Sequence, residues 1–190
     1  VPELDEDVLA AARRGDADAF ATLWRVLSPA VAGYLAARGA DDPDGMTSDV
    51  FLAVLPKLRD VTGGVTGLRT FVFSVAHARL VDERRGRARR PTTVPFDALQ
   101  HDGTAPSAER EALSALGTER VHALLAGLPS DYRDVLALRV VADLGVEQTA
   151  KVMQRSVGAV KQLQRRALLA LRAELDGVTS DAAAAITDRR

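Results

Sequence analysis

The chain has 190 residues, 25 Lys plus Arg against 26 Asp plus Glu, no cysteine and 4% aromatic residues. That length accommodates one domain or two small ones, and the lack of thiols excludes a disulfide framework and any thiolate metal site. Ala, Leu, Arg, Val and Asp dominate, which favours helices packed through aliphatic side chains over an aromatic-rich sandwich or barrel, so an all-α fold is expected.

The opening Val1-Pro2-Glu3-Leu4-Asp5-Glu6-Asp7 is acidic where a secretory signal is basic and then apolar. No apolar run approaches the roughly 18 residues that span a bilayer, and a cytoplasmic location is expected. Val8, Leu9 and Ala12 begin the first helical pattern, and Asp16 is placed to cap a second that carries Phe20, Leu23, Trp24, Leu27 and Val31. Asp41-Asp42-Pro43-Asp44 reads as a break with Pro in a new first turn, leading into Met46, Val50, Phe51, Val54 and Leu58. After Gly63, Gly64 and Gly67 a fourth helix is predicted from about Leu68, with Phe71, Val72, Val75, Ala76 and Leu80 and then a run of arginines.

Between Pro91 and about Ser107 the periodicity stops, and Pro, Thr and Gly give the composition of an exposed connector. Helical patterning resumes through Leu113, Leu116, Val121, Leu124 and Leu125, is punctuated at Leu128-Pro129-Ser130, and continues in three shorter helices. The predicted architecture is two small helical domains joined by a flexible linker, which implies that the halves move relative to each other. The boundaries are residues 1–90, a linker at 91–107, a second domain at 108–176 and an Ala-rich tail at 177–190.

Charge is unevenly distributed on a chain whose net charge is -1. The stretch before about residue 64 is acidic, whereas Arg84, Arg85, Arg87, Arg89 and Arg90 form one basic cluster. Lys151, Arg155, Lys161, Arg165, Arg166 and Arg172 form another with no acid between them. Two basic faces suit a protein that touches a polyanion twice, the plainer alternative being two solvated helix faces.

The most specific local pattern is Glu147 to Met153 as a short amphipathic helix, Gln154-Arg155-Ser156 as a turn, and a helix from Val157 onward. This is helix-turn-helix spacing, with Ala150 at a close crossing, Val157 and Val160 facing inward and Ser156 as a cap. The remaining face presents Arg155, Gly158, Lys161, Gln162, Arg165 and Arg166. Arg and Gln can read guanine and adenine edges in the major groove, while Lys, the cap hydroxyl and helix-start amides suit phosphates.

Leu128-Pro129-Ser130-Asp131-Tyr132-Arg133-Asp134-Val135-Leu136-Ala137-Leu138-Arg139 resembles the opening of domain 4 of RNA polymerase sigma factors of the small extracytoplasmic-function type, group 4 of the sigma-70 family. Glu147, Ala150, Val157, Gly158, Val160, Lys161, Arg165, Arg166, Ala167 and Leu171 continue the match. Response-regulator output domains share part of this second-half pattern. The first half discriminates, because Ala11 to Phe20 with Leu23 and Trp24 is similar to the start of sigma domain 2.

The resemblance implies a transcription initiation factor that binds core RNA polymerase and directs it to specific promoters. Arg155, Ser156, Gly158, Lys161, Gln162, Arg165 and Arg166 would then meet the minus-thirty-five element. Thr47, Ser48, Asp49, Phe51 and Leu52 would lie on the clamp helices of the beta-prime subunit, and domain 4 on the beta flap. Phe71-Val72-Phe73-Ser74-Val75-Ala76-His77 resembles the helix that engages the melted minus-ten element, and Arg69, Phe71, His77, Arg79, Arg84 and Arg85 are its candidate contacts. Phe71 and Phe73 could equally be core aromatics, and His77 a solvated residue. Gly45, Ser48 and Ala78 depart from residues common in the family, and Gly45 is expected to weaken the start of its helix. The resemblance also implies an anti-sigma factor as a partner.

Catalysis is not expected, since His77, His101 and His122 are dispersed and no Gly-rich phosphate loop with a following Lys exists. No metal or cofactor is implied. Two alternatives stay open at this point: a regulator that uses only the helix-turn-helix, and a sigma-like protein that binds a regulator without initiating.

Overall fold

The structure is a computed structural model and describes residues 4–89, 125 and 127–187, with side chains at 4–87, 125 and 127–175. Among these residues there are seven α-helices and no strand. They are α1 (Glu6–Arg13), α2 (Ala17–Ala37), α3 (Pro43–Val54), α4 (Gly64–Arg89), α5 (Ser130–Leu136), α6 (Val146–Val152) and α7 (Val157–Thr187). A 3-10 turn at Leu55–Lys57 closes α3, and a π-helical turn at Ala137–Val141 follows α5. The expected connector, and the helical pattern placed at Leu113, Leu116, Val121 and Leu124, lie outside the described residues.

The helices begin where carboxylates can take up free backbone amides. Asp5 Oδ1 accepts from the Val8 amide at 2.8 Å, Asp16 Oδ1 from Ala19 at 2.9 Å and Asp42 Oδ1 from Gly45 at 2.9 Å. Each such cap contributes about 1 kcal/mol. Gly45 fits its cap instead of weakening it, because a Cβ there would lie 2.1 Å from Asp42 Oδ2 and displace the capping carboxylate.

Helices α1 to α4 bury Leu9, Leu23, Leu27, Val31, Val50, Val54, Leu68, Val72 and Leu80 between them. Each fully buried aliphatic side chain contributes about 1.5–3 kcal/mol. Phe73 is core, its ring meeting Tyr34 edge-on at 5.8 Å between centroids. Leu128, Val135, Leu136, Ala150, Val160 and Ala167 make a second cluster among α5, α6 and α7. Ala150 is buried in it, as its small side chain requires, whereas Val157 is 39% exposed. The inward placement expected of Val157 does not hold: it is the first residue of α7, directly after the Ser156 cap, and stays exposed.

The two halves do not stand apart. Ala137, Leu138, Ala142, Leu144 and Val152 are buried in the same continuous core as α1 to α4. Helix α7 runs unbroken past residue 176, where the second domain was expected to give way to a tail, and reaches Thr187.

Candidate nucleic-acid interface

The turn between α6 and α7 is built from Met153 to Ser156. Gln154 takes a left-handed backbone conformation, φ 53°, that only a few per cent of non-glycine residues adopt, and the Arg155 amide returns to the Ala150 carbonyl at 2.9 Å. Ser156 Oγ then accepts from the Ala159 amide at 3.2 Å and caps α7 as expected. Buried Val160 and Ala167 fix which side of α7 faces the core. That leaves Arg155, Ser156, Gly158, Lys161, Gln162, Arg165 and Arg166 all exposed on the outer side. A cationic helix start with one amide side chain offers both phosphate contacts and base-edge donors. Arg155 is also tied to Asp131 of α5 at 2.5 Å.

The candidate minus-ten residues are distributed along α4. Arg79 and Arg85 are exposed, while Arg69, Phe71, His77 and Arg84 are half-buried. Phe71 packs against the core and also lines a cavity of about 670 Å³. Its walls include Thr62, Gly63 and Thr66 on one side and Gln148 and Lys151 of α6 on the other. The loop is held tightly to α4, since a Cβ on Gly67 would lie 1.8 Å from the Thr62 carbonyl oxygen.

Three of these side chains are turned toward the second half. Arg69 Nη2 donates to the Ala142 carbonyl at 2.9 Å, and Arg84 donates to the Arg38 carbonyl and to Ser130 Oγ, the latter at 3.4 Å. His77 Nδ1 shares a hydrogen bond of 2.9 Å with Tyr34 Oη and lies 3.9 Å from Asp134 Oδ1. In this arrangement His77 is half-buried between the two halves and is not a solvated side chain. Burial lowers the His77 pKa, with the Arg38 and Arg84 charges acting the same way and Asp134 opposing them. Burial likewise lowers Arg84 and raises the Tyr34 phenol well above its ordinary value.

At the centre of this group Arg38, whose side chain is 0% exposed, donates to Asp134 Oδ1 at 2.5 Å. Sequence reasoning missed both. A basic residue at the end of α2 reads as a solvated helix-end charge, and Asp134 appears only as one letter of a motif.

The candidate polymerase face divides by depth. Ser48, Asp49 and Leu52 are exposed, but Thr47 and Phe51 are buried. Thr47 Oγ1 donates to the Pro43 carbonyl at 2.7 Å, and Phe51 supports the half-exposed Trp24 in an edge contact of 4.7 Å. The exposed members of this candidate face are Ser48, Asp49 and Leu52, with Trp24 beside them. Among the described residues no group of three or more His, Asp or Glu could hold a metal ion, and no helix is long and apolar enough to cross a membrane.

The family model for Sigma-70, region 4 matches residues 118–171, the span that contains the helix-turn-helix. The ECF RNA polymerase sigma factor SigD of Mycobacterium tuberculosis is 31% identical over 175 residues, covering 88% of this chain and 82% of SigD. The chain belongs to the ECF sigma factor family. Similarity over both halves is what a regulator sharing only the helix-turn-helix would lack. The ECF sigma factor ShbA of Streptomyces griseus is 37% identical over 127 residues, 64% of each chain. The fold agrees with that of CnrH in its complex with the cytosolic domain of CnrY, at a TM-score of 0.70 and 24% identity, covering 92% of this chain and 99% of that one. As a sigma factor the protein directs core RNA polymerase to promoters, and the family is one of initiation factors rather than enzymes.

Proposed function

We propose that this sigma factor reads promoter DNA with two separate faces. The start of α7 takes the minus-thirty-five element in duplex form. Helix α4 and the loop before it take the melted minus-ten element. Opening a promoter needs no covalent chemistry; it needs a pocket for an unstacked base and a cationic path for the strand. The observation that carries this reading is the outward cationic face of α7, where all seven candidate residues are exposed together. Support for the minus-ten role comes from the cavity beside Phe71, bounded by the Thr62–Gly63 loop.

Ser48, Asp49 and Leu52, with Trp24 beside them, would seat on the beta-prime clamp helices, and the second half on the beta flap. Control by an anti-sigma factor and a cytoplasmic location rest on the family resemblance. Run-off transcription by core RNA polymerase on a pool of promoter fragments, with and without the protein, tests the proposal. Transcripts that require the protein and share two spaced upstream elements are expected. Specific duplex binding without core binding or transcription would overturn this reading in favour of a DNA-binding regulator, and partner binding without transcription would indicate a sigma-like protein that does not initiate.

A further inference from the structure

Side chains assigned above to two distant promoter elements converge on one spot. Arg84, a minus-ten candidate, donates to Ser130 Oγ at 3.4 Å, and Arg155, a minus-thirty-five candidate, pairs with Asp131 at 2.5 Å. Ser130 and Asp131 are adjacent, so with consecutive Cα atoms about 3.8 Å apart the two guanidinium groups are at most about 16 Å from each other. Elements named minus-ten and minus-thirty-five lie about 25 base pairs apart, or about 85 Å of duplex at about 3.4 Å per step. The arrangement seen here cannot occupy both.

What holds it shut is specific. Arg38 ends α2 and Asp134 belongs to α5, and their buried contact crosses from one half of the chain to the other. Around it Arg84 ties the Arg38 carbonyl to Ser130, Arg69 takes the Ala142 carbonyl, and Gln148 Nε2 of α6 donates to the Thr66 carbonyl at 3.2 Å. That last bond closes α6 over the cavity beside Phe71. Arg69, Arg84 and the cavity, all on the minus-ten side, are therefore engaged by the second half. The contact is also imperfect, because Arg38 Nη1 is buried without a hydrogen-bond partner. The unmatched donor leaves part of the desolvation cost of the charge uncompensated while the pair is closed, and exposure to water relieves that part.

We propose that the Arg38–Asp134 pair is a latch that holds the free protein in a closed, DNA-incompetent state, and that promoter engagement requires it to open. The reading rests on the assignment of the two promoter faces made above. Binding to DNA is then reduced by the fraction of molecules that are open.

The chain has no cysteine, so Ala21→Cys with Ala173→Cys, both at exposed positions, places one spin label on each half. Dipolar distance measurements on the free full-length protein should give one narrow distribution. Asp134→Asn and, separately, Arg38→Gln should broaden it toward longer distances at unchanged helical circular dichroism. The same variants should bind a minus-thirty-five duplex on the order of tenfold more tightly. A broad distribution in the unsubstituted background, or a narrow one in a folded latch variant, overturns the proposal. An arm without latch substitutions adds core polymerase and promoter DNA, which should lengthen the distance; a distance unchanged in the bound complex also overturns it. Failure of protein-dependent transcription would remove the promoter assignment while leaving the free-protein distances standing, so the two failures can be told apart.

Discussion

Gly67 approaches Thr62 so closely that a Cβ would sit 1.8 Å from the Thr62 carbonyl oxygen. The obstacle is backbone, which cannot rotate aside as a side chain can. Gly67→Ala should therefore push the Val61–Gly63 loop off α4 and destabilise the fold by about 1–3 kcal/mol, the usual cost of forcing atoms into a packed site. Urea unfolding reads that loss. Because the loop bounds the cavity beside Phe71, promoter opening, followed by a fluorescent base at the minus-ten element, should fall as well. Duplex binding through α7 should not.

Removing one member of the Arg38–Asp134 pair leaves the other's charge without its partner in the closed arrangement. Arg38→Ala should lower stability by about 3 kcal/mol, within the range found when buried pairs are broken. Replacing both partners with apolar residues of similar size, Arg38→Met with Asp134→Leu, should recover most of that loss, since no charge is then stranded. Equal destabilisation by the single and double changes would show that the pair is not what matters at this position.

Helix starts were legible in the sequence, because Asp16, Asp42 with Pro43, and Ser156 are local chemistry acting within three residues. The outer face of α7 was legible for a similar reason: once Val160 and Ala167 are core, helical periodicity assigns the exposed residues. Burial of Thr47 and Phe51 on the candidate polymerase face was not, as a motif names positions without saying which are buried and which are exposed. The Arg38, His77 and Asp134 cluster was least legible. Its members lie on α2, α4 and α5, and no sequence period links residues 96 positions apart. Nor does composition announce that a charged side chain will be fully buried, which is uncommon for Arg without a partner.

Leu52 is 68% exposed on α3, and Phe51 beside it is 4% exposed. Leu52→Asp should leave stability within about 0.5 kcal/mol, as for most surface changes, while weakening binding to core polymerase in a pull-down titration. Phe51→Ala should weaken binding too, but through a loss of about 3–5 kcal/mol in stability. The two variants separate contact from support at adjacent positions.

On α7 the charge and the amide should behave differently. Lys161→Ala should weaken binding to all duplexes alike and reduce the salt dependence of affinity by about one counterion in a titration series. Gln162→Ala should instead cost about 1–3 kcal/mol on the preferred sequence and little elsewhere, relaxing specificity at one base pair. Uniform loss in both variants would remove Gln162 from base readout.

His77 is surrounded by Tyr34, Asp134, Arg38, Arg84 and Asp131, and burial together with the two guanidinium charges holds its pKa below the ordinary 6.5. The imidazole is therefore neutral in the closed protein at pH 7. As pH falls below about 6.5, the unfolded chain takes up a proton that the native arrangement resists, so the unfolded state binds more protons and stability declines with decreasing pH. Asp134 favours the imidazolium and softens this decline, but it is already committed to Arg38 at 2.5 Å. Urea midpoints measured from pH 7.5 to 5.5 should fall in the wild type, and the part of that fall due to this group should vanish in His77→Gln. A midpoint rising on acidification in the wild type, and lost in the variant, would mean that attraction to Asp134 outweighs burial.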